Sequence, residues 1–389
     1  MTDFPTLSWP DTDGPRTVRW RSEAGVPAPK RVVVADDSTT ADAAYRLACE
    51  GTALLWRGDY QNARQLLQAM ARRAERTAGK PRKGSAAPKP AATPLEAFHL
   101  HRQAQAQRAR TLGMMLLPLE GDYSIPLRRA PDVRLACEQA WGAPDGEPSV
   151  VSLREVLGLI GAYEWRKKGV EIPALGGARI HPYYGVFSPV RGEYLDLVAR
   201  VPLPLPSLER AFDIGTGTGV IAAVLAARGV TQVIATDQDA RALACARENL
   251  AQLGYGDRVE VVEADLFPPG RAPLVVCNPP WVPARPASPI EYAVFDPDSR
   301  MLRGFLAGLK DHLEPGGEGW LILSDFAEHL GLRTREALME MIAQAGLEVA
   351  GREDIRPRHP KASDPADPLH RARAAEITSL WRLKVSAGS

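Results

Sequence analysis

After residue 172 the chain settles into short apolar runs that alternate with stretches of helical periodicity, and this alternation constrains the fold more than any other feature. The runs fall at 211–214, 232–236, 259–262 and 274–277, with helical patterns at 220–227 and 240–253. Strands that run parallel need a crossover to join them, and a helix supplies one. The expected class is therefore α/β, a doubly wound and mostly parallel sheet with helices on both faces. A helix at 300–313, the turn Pro315-Gly316-Gly317, a strand at 320–323, a helix at 333–345 and two closing strands bring the sheet to seven strands. This domain is expected to span 171–389.

The preceding 170 residues read differently. Residues 1–37 are rich in Pro, Asp and Arg, and the apolar triplet at 32–34 allows an arm with one strand. Thr40 can cap a helix in which Ala44, Leu47, Ala48 and Leu54 recur at helical spacing; Gly58 breaks it, and Asp59 can cap a second helix carrying Leu66, Leu67 and Met70. Residues 79–94 shift to Lys, Pro, Ala, Gly and Ser without periodic apolar positions, the composition of a flexible linker. A polar helix is expected from Leu95 to Gly113, a strand at 114–117, and a capping box Ser152-Leu-Arg-Glu155 opening a helix through Val156, Ile160 and Trp165. The region 1–170 thus reads as a mainly helical N-terminal domain suited to substrate recognition.

The chain's 389 residues, 45% of them hydrophobic, suffice for both domains. A net charge of +1 announces neither a nucleic-acid partner nor an acidic tail, although Arg72 to Arg110 hold ten Lys and Arg against two Glu. Cys49, Cys137, Cys245 and Cys277 form no CxxC pair, so reduced core thiols are expected and no metal site. The N-terminus lacks a basic segment followed by an apolar one, and no apolar run approaches the ~18 residues of a membrane span, which places the protein in the cytoplasm.

Two motifs carry chemistry. Asp213-Ile-Gly215-Thr216-Gly217-Thr-Gly219 follows an apolar strand and opens a helix, so its glycines let the backbone turn sharply and approach a ligand. A dinucleotide fingerprint wants its third glycine three places after the second; position 220 is Val, and the spacing disfavours NAD and FAD. Asp237, followed by Gln238, ends the next strand, where a carboxylate can accept from both ribose hydroxyls of a nucleoside. Asp265 and Leu266 follow the third strand. The fourth strand runs into Asn278-Pro279-Pro280-Trp281, in which two prolines hold the backbone rigid beside an amide and an aromatic ring. Such a device suits gripping a flat NH2 group. The nitrogen of an amide or aromatic amine is a poor nucleophile because its lone pair is delocalised. If the Asn278 oxygen and the Pro279 carbonyl each accept an N–H from it, the lone pair is aimed, and Trp281 offers a stacking face.

Residues 185–345 resemble the class I S-adenosylmethionine-dependent methyltransferases on these motifs. The resemblance implies that Asp213, Gly215, Thr216, Gly217 and Gly219 form the cofactor turn, Asp237 with Gln238 takes the ribose, Asp265 and Leu266 take the adenine, and Asn278 closes the site towards the donor. The run Asn278 to Trp281 resembles the Asn-Pro-Pro-aromatic motif of enzymes that methylate glutamine amides, adenine N6 and guanine N2. Phe295-Asp296-Pro297, and Phe187-Ser-Pro-Val-Arg191-Gly-Glu193 upstream, are similar to elements of the release-factor glutamine methyltransferases. Trp281 stands where that group carries Tyr, and Ser324-Asp325 where it has an acid and glycine. The implied activity is N-methylation of a macromolecular acceptor, a protein glutamine ahead of an RNA or DNA amine, with catalytic Asn278, Pro279, Pro280 and Trp281 and no metal or membrane. A non-catalytic binding module that kept the fold is the remaining alternative.

Overall fold

The computed structural model describes residues 4–11, 14–77, 91–190, 192–205, 208–286, 289–358 and 364–387. Most of the expected linker at 79–94, Arg191, and part of the basic tail between Arg356 and Arg373 lie outside the described residues. The chain divides into two compact units, Met1–Ala92 with His99–Glu164, and Thr93–Phe98 with Trp165–Ser389.

In the first unit β1 (Thr6–Asp11), β2 (Gly14–Arg21), β3 (Arg31–Ala35), β4 (Thr52–Trp56), β5 (Met115–Leu119) and β6 (Ser149–Ser152) form one mixed sheet in the order β1-β2-β6-β5-β4-β3. Helices α1 (Ala41–Cys49), α2 (Tyr60–Thr77), α3 (Pro94–Gly113), α4 (Arg134–Trp141) and α5 (Leu153–Lys168) accompany it, the ends of α3 and α5 passing into the second unit. This corrects the mainly helical reading: helix is plentiful, but the buried cluster Leu7, Trp9, Trp20, Val32, Ala53, Leu55, Leu116 and Val150 is drawn from strands alone. The physical reason lies in β4, buried at every position, whose unbroken apolar run is indistinguishable by periodicity from a helix segment. Leu54 accordingly sits in β4, and α1 stops at Cys49. Thr40 does cap α1, accepting from the Ala43 N–H, and Asp59 accepts from the Gln61 N–H at the start of α2. The capping box does not form: Ser152 ends β6 with its Oγ unbonded, and Glu155 accepts instead from the Glu23 N–H at 2.8 Å.

The second unit opens with a hairpin, β7 (Val170–Ile172) and β8 (Ala178–Ile180), and α6 (Glu193–Arg200). Then follow β9 (Arg210–Ile214), α7 (Val220–Ala227), β10 (Gln232–Asp237), α8 (Ala240–Gln252), β11 (Val259–Glu263), β12 (Ala272–Cys277), α9 (Arg300–His312), β13 (Leu313–Ser324), α10 (Phe326–His329), α11 (Arg335–Gln344), β14 (Leu347–Ile355), α12 (His370–Ala375) and β15 (Thr378–Val385). The seven strands order as β11-β10-β9-β12-β13-β15-β14, with β15 antiparallel to both neighbours and the other pairings parallel. This is the expected doubly wound sheet of the class I methyltransferase fold. Alternate residues of β12 serve opposite faces: Leu274 and Val276 pack with α6 and α7, Val275 and Cys277 with α9 and α11.

Strand order reverses between β9 and β12, so a crevice is expected outside their carboxyl ends, the place where open α/β sheets bind ligands. One expected turn is a strand irregularity: Pro315-Gly316-Gly317 lies inside β13, where the register against β12 shifts between Ala272 and Leu274. A Cβ on Gly317 would stand 2.9 Å from the Pro273 carbonyl oxygen, which is why the chain needs glycine there. The four cysteines are unpaired; three are buried, but Cys49 is exposed rather than in the core. Among the described residues no helix is long and apolar enough to cross a membrane.

Candidate active site

The glycine turn joins the buried end of β9 to the first turn of α7. Gly215, Gly217 and Gly219 all have positive φ, at 73°, 55° and 80°, the region in which L side chains are strained. They differ in surroundings. A Cβ at Gly219 would lie 3.2 Å from Ala246 Cα and from the Leu250 side chain, so this glycine lets α7 and α8 approach. A Cβ at Gly217 would meet nothing within 4 Å, leaving the backbone open to a ligand. Asp213 is fully buried. Its Oδ2 accepts from the Thr216 hydroxyl at 2.6 Å and from the Ala222 N–H at 3.1 Å, so it braces the turn from behind. Burial pushes its carboxyl up to about 7, against the pull of those two donors.

Asp237 ends β10 beside this turn. Its Oδ2 accepts from the Gly217 N–H and its Oδ1 from the Asp239 N–H, both at 3.0 Å. Each oxygen retains a lone pair, as a ribose diol requires. Desolvation raises this carboxyl too. Gln238 is exposed next to it. Asp239, which the sequence reading passed over, accepts from the Arg241 and Ala242 N–H groups and caps α8; its place just before a helical pattern was the available signal.

Beyond β11, Asp265 is exposed, with Arg300 4.0 Å away across the surface. Leu266 has φ of 73°, unusual for a branched side chain, and its carbonyl accepts from the Thr236 hydroxyl at 2.5 Å. Thr236, buried at the end of β10, therefore fixes the strained loop that carries both candidate adenine contacts. Nothing in the sequence marked that role.

Asn278 emerges half-buried from β12, and the Trp281 indole N–H donates to its Oδ1 at 2.9 Å. The Trp281 ring is half-buried and packs against the clusters on both sheet faces and a third one containing Phe98, Val282, Phe326 and Leu330. Phe295 lies opposite Val282 in an isolated bridge, and Asp296 donates its N–H to the Val282 carbonyl. The Asp296 carboxylate accepts from the Met301 and Leu302 N–H groups, anchoring α9. Phe295-Asp296-Pro297 thus ties the segment after Asn278–Trp281 to α9. Buried Arg333, unmarked in the sequence, donates Nη2 to the Trp281 carbonyl at 3.5 Å.

Of the other expected features, Glu193 is buried at the start of α6, and His329 lies in α10 with Nε2 3.3 Å from Asp325 Oδ2. In the basic stretch Arg73 pairs with Asp42 and Arg108 with Glu75, both at 2.7 Å.

The methyltransferase small domain family matches residues 179–345. Over 145 residues the chain is 38% identical to a release factor glutamine methyltransferase of Cereibacter sphaeroides, covering 36% of this chain and 49% of that protein, about half its length. It is 30% identical over 251 residues to a release factor glutamine methyltransferase of Xylella fastidiosa, covering 58% of this chain and 86% of the relative. A ribosomal RNA small subunit methyltransferase C of Alcanivorax borkumensis is 34% identical over 145 residues, 36% of this chain and 41% of its own. Among solved structures, a methyltransferase from Pyrococcus furiosus aligns over 59% of this chain and 98% of its own at 19% identity, with a TM-score of 0.39.

Proposed function

This chain belongs to the class I S-adenosylmethionine-dependent methyltransferases of the group that includes the release factor glutamine methyltransferases, and from that membership we propose that it methylates a planar NH2 nitrogen, foremost a protein glutamine side chain. S-adenosylmethionine is the cofactor, and when bound it supplies an electrophilic methyl group. The residues that would hold it fit: Gly217 leaves its backbone uncovered, and Asp237 keeps a lone pair on each oxygen beside that opening. Asp213 and Thr216 support the turn, Gln238 flanks the ribose position, and Asp265 with Leu266 borders the adenine.

The observation that carries the acceptor reading is Asn278 Oδ1, fixed at the carboxyl end of β12 next to the end of β9. An acceptor NH2 would donate one hydrogen to this oxygen and the other to the Pro279 carbonyl, which pyramidalises and aims the lone pair. Pro279 and Pro280 restrict the backbone on which both acceptor groups stand. The methylated nitrogen becomes cationic and loses its proton readily, so no strong base is needed. The likeness to a release factor glutamine methyltransferase over 86% of that relative supports glutamine ahead of a nucleobase.

The test is transfer from labelled S-adenosylmethionine into a lysate of cells lacking the enzyme, followed by protease or nuclease. Label released by protease, and recovered as methylglutamine after hydrolysis, is expected. Label removed by nuclease and spared by protease would replace glutamine with an RNA or DNA amine. Failure to bind S-adenosylmethionine in calorimetry would leave only the non-catalytic binding module.

A further inference from the structure

An indole nitrogen can donate but not accept, so the Asn278 atom that faces the Trp281 N–H at 2.9 Å has to be the amide oxygen. That contact selects one of the two amide orientations and occupies one of the two oxygen lone pairs. The donor is itself held in place: the Trp281 ring packs among three apolar clusters, and Arg333, a residue only 7% exposed, reaches its carbonyl through the guanidinium. Phenylalanine or tyrosine at 281 would keep a ring but offers no donor on the near edge of it.

We infer that Trp281 is a positioning residue whose indole N–H locks the Asn278 amide, leaving a single oxygen lone pair for the acceptor NH2. This rests on the reading of Asn278 as the acceptor's grip. The acceptor's second hydrogen must then go to a backbone carbonyl, because the locked oxygen has no further site. Trp281 is in this sense part of the hydrogen-bonding apparatus, where stacking alone would accept any aromatic ring.

The hydrogen bond is testable without an acceptor. In the 15N-labelled full-length protein, the Trp281 indole N–H resonance, assigned through its own bonds, is expected to move upfield in Asn278→Ala and to exchange faster with solvent, while the other seven tryptophan signals stay. An unmoved resonance overturns the inference. Transfer of labelled methyl from S-adenosylmethionine to the protein fraction of a lysate should fall about five- to tenfold in Trp281→Phe, the equivalent of one hydrogen bond, with cofactor affinity unchanged. In an Asn278→Ala background the same substitution should cost nothing further. Equal losses in both backgrounds would reduce Trp281 to a packing residue and overturn the inference. Absence of transfer by the unsubstituted protein would remove the acceptor reading, whereas the resonance would still decide whether Trp281 fixes the amide.

Discussion

At the scale of single residues, Asp237 and Asn278 stand at the ends of two different strands and should fail in opposite ways. Asp237 receives two backbone N–H groups and keeps a lone pair on each oxygen for the proposed ribose contact, and hydrogen bonds to a charged acceptor contribute roughly 1.5–3 kcal/mol. Asp237→Ala is therefore expected to weaken S-adenosylmethionine binding about 10- to 100-fold in calorimetry; unchanged affinity would refute the ribose role. Asn278→Ala should leave that affinity nearly intact and lower turnover by about 100-fold or more, the usual effect of removing one preorganised polar group from a reacting centre. Parallel loss of both would mean that Asn278 serves the fold. These two residues were legible in the sequence because an apolar run that ends in a polar residue marks a strand end. Asp213 was equally visible, but its inward direction was not: only the structure shows the carboxylate fully buried and spent on Thr216 and Ala222.

At the scale of elements, the glycines of the turn between β9 and α7 differ in what they face, Gly219 the packed helices and Gly217 open space. Gly219→Ala places a methyl 3.2 Å from Ala246 Cα and Leu250 at a φ of 80°, so both strain and crowding oppose it. Gly217→Ala meets only the strain, since no atom lies within 4 Å of its Cβ. Urea denaturation should therefore show Gly219→Ala the more destabilised, by roughly 2–3 kcal/mol against about 1 kcal/mol for Gly217→Ala. Cofactor affinity should fall in Gly217→Ala despite its milder instability; full affinity there would show that no ligand lies over residue 217. The second unit was readable because buried strands and amphipathic helices alternate with clear periods, as in Val275-Val276-Cys277 and residues 240–252. The first unit was not. Strand β2 alternates poorly, reading Gly-Pro-Arg-Thr-Val-Arg-Trp-Arg, and β6 has four residues, too few for a period of two to show. The anchoring of α9 by Asp296 was also hidden, because Asp298 and Ser299, both at positive φ, separate cap from helix.

At the scale of the whole molecule, the site leaves a mark on how stability depends on pH. Carboxyls in both units have raised pKa values, fully buried Asp213 in the second and half-buried Glu155 in the first each reaching about 7 through desolvation. For Asp213 the folded state holds the proton more tightly than the unfolded state, whose pKa is about 4. Below pH ~4 both states are protonated and the group contributes nothing; from there to about 7 the unfolded chain ionises first, and stability falls as pH rises. The ceiling on this loss is about 4 kcal/mol, from a shift of about three units. Asp213→Asn removes the titration and can still accept from Thr216 and Ala222 through its amide oxygen, with its NH2 at the carboxylate position that now has no partner. The Tm difference between Asp213→Asn and the unsubstituted protein should therefore be small at pH 4, grow in favour of the variant, and level off above pH 7. A constant difference across that range would show that Asp213 is ionised in the fold throughout. The same profile should be shallower with S-adenosylmethionine bound if its positive sulfonium and amino groups lie near enough to steady the Asp213 anion, because the cofactor would then lower the raised pKa. A profile of unchanged shape, displaced only in height, would place those charges too far from Asp213 to act on it.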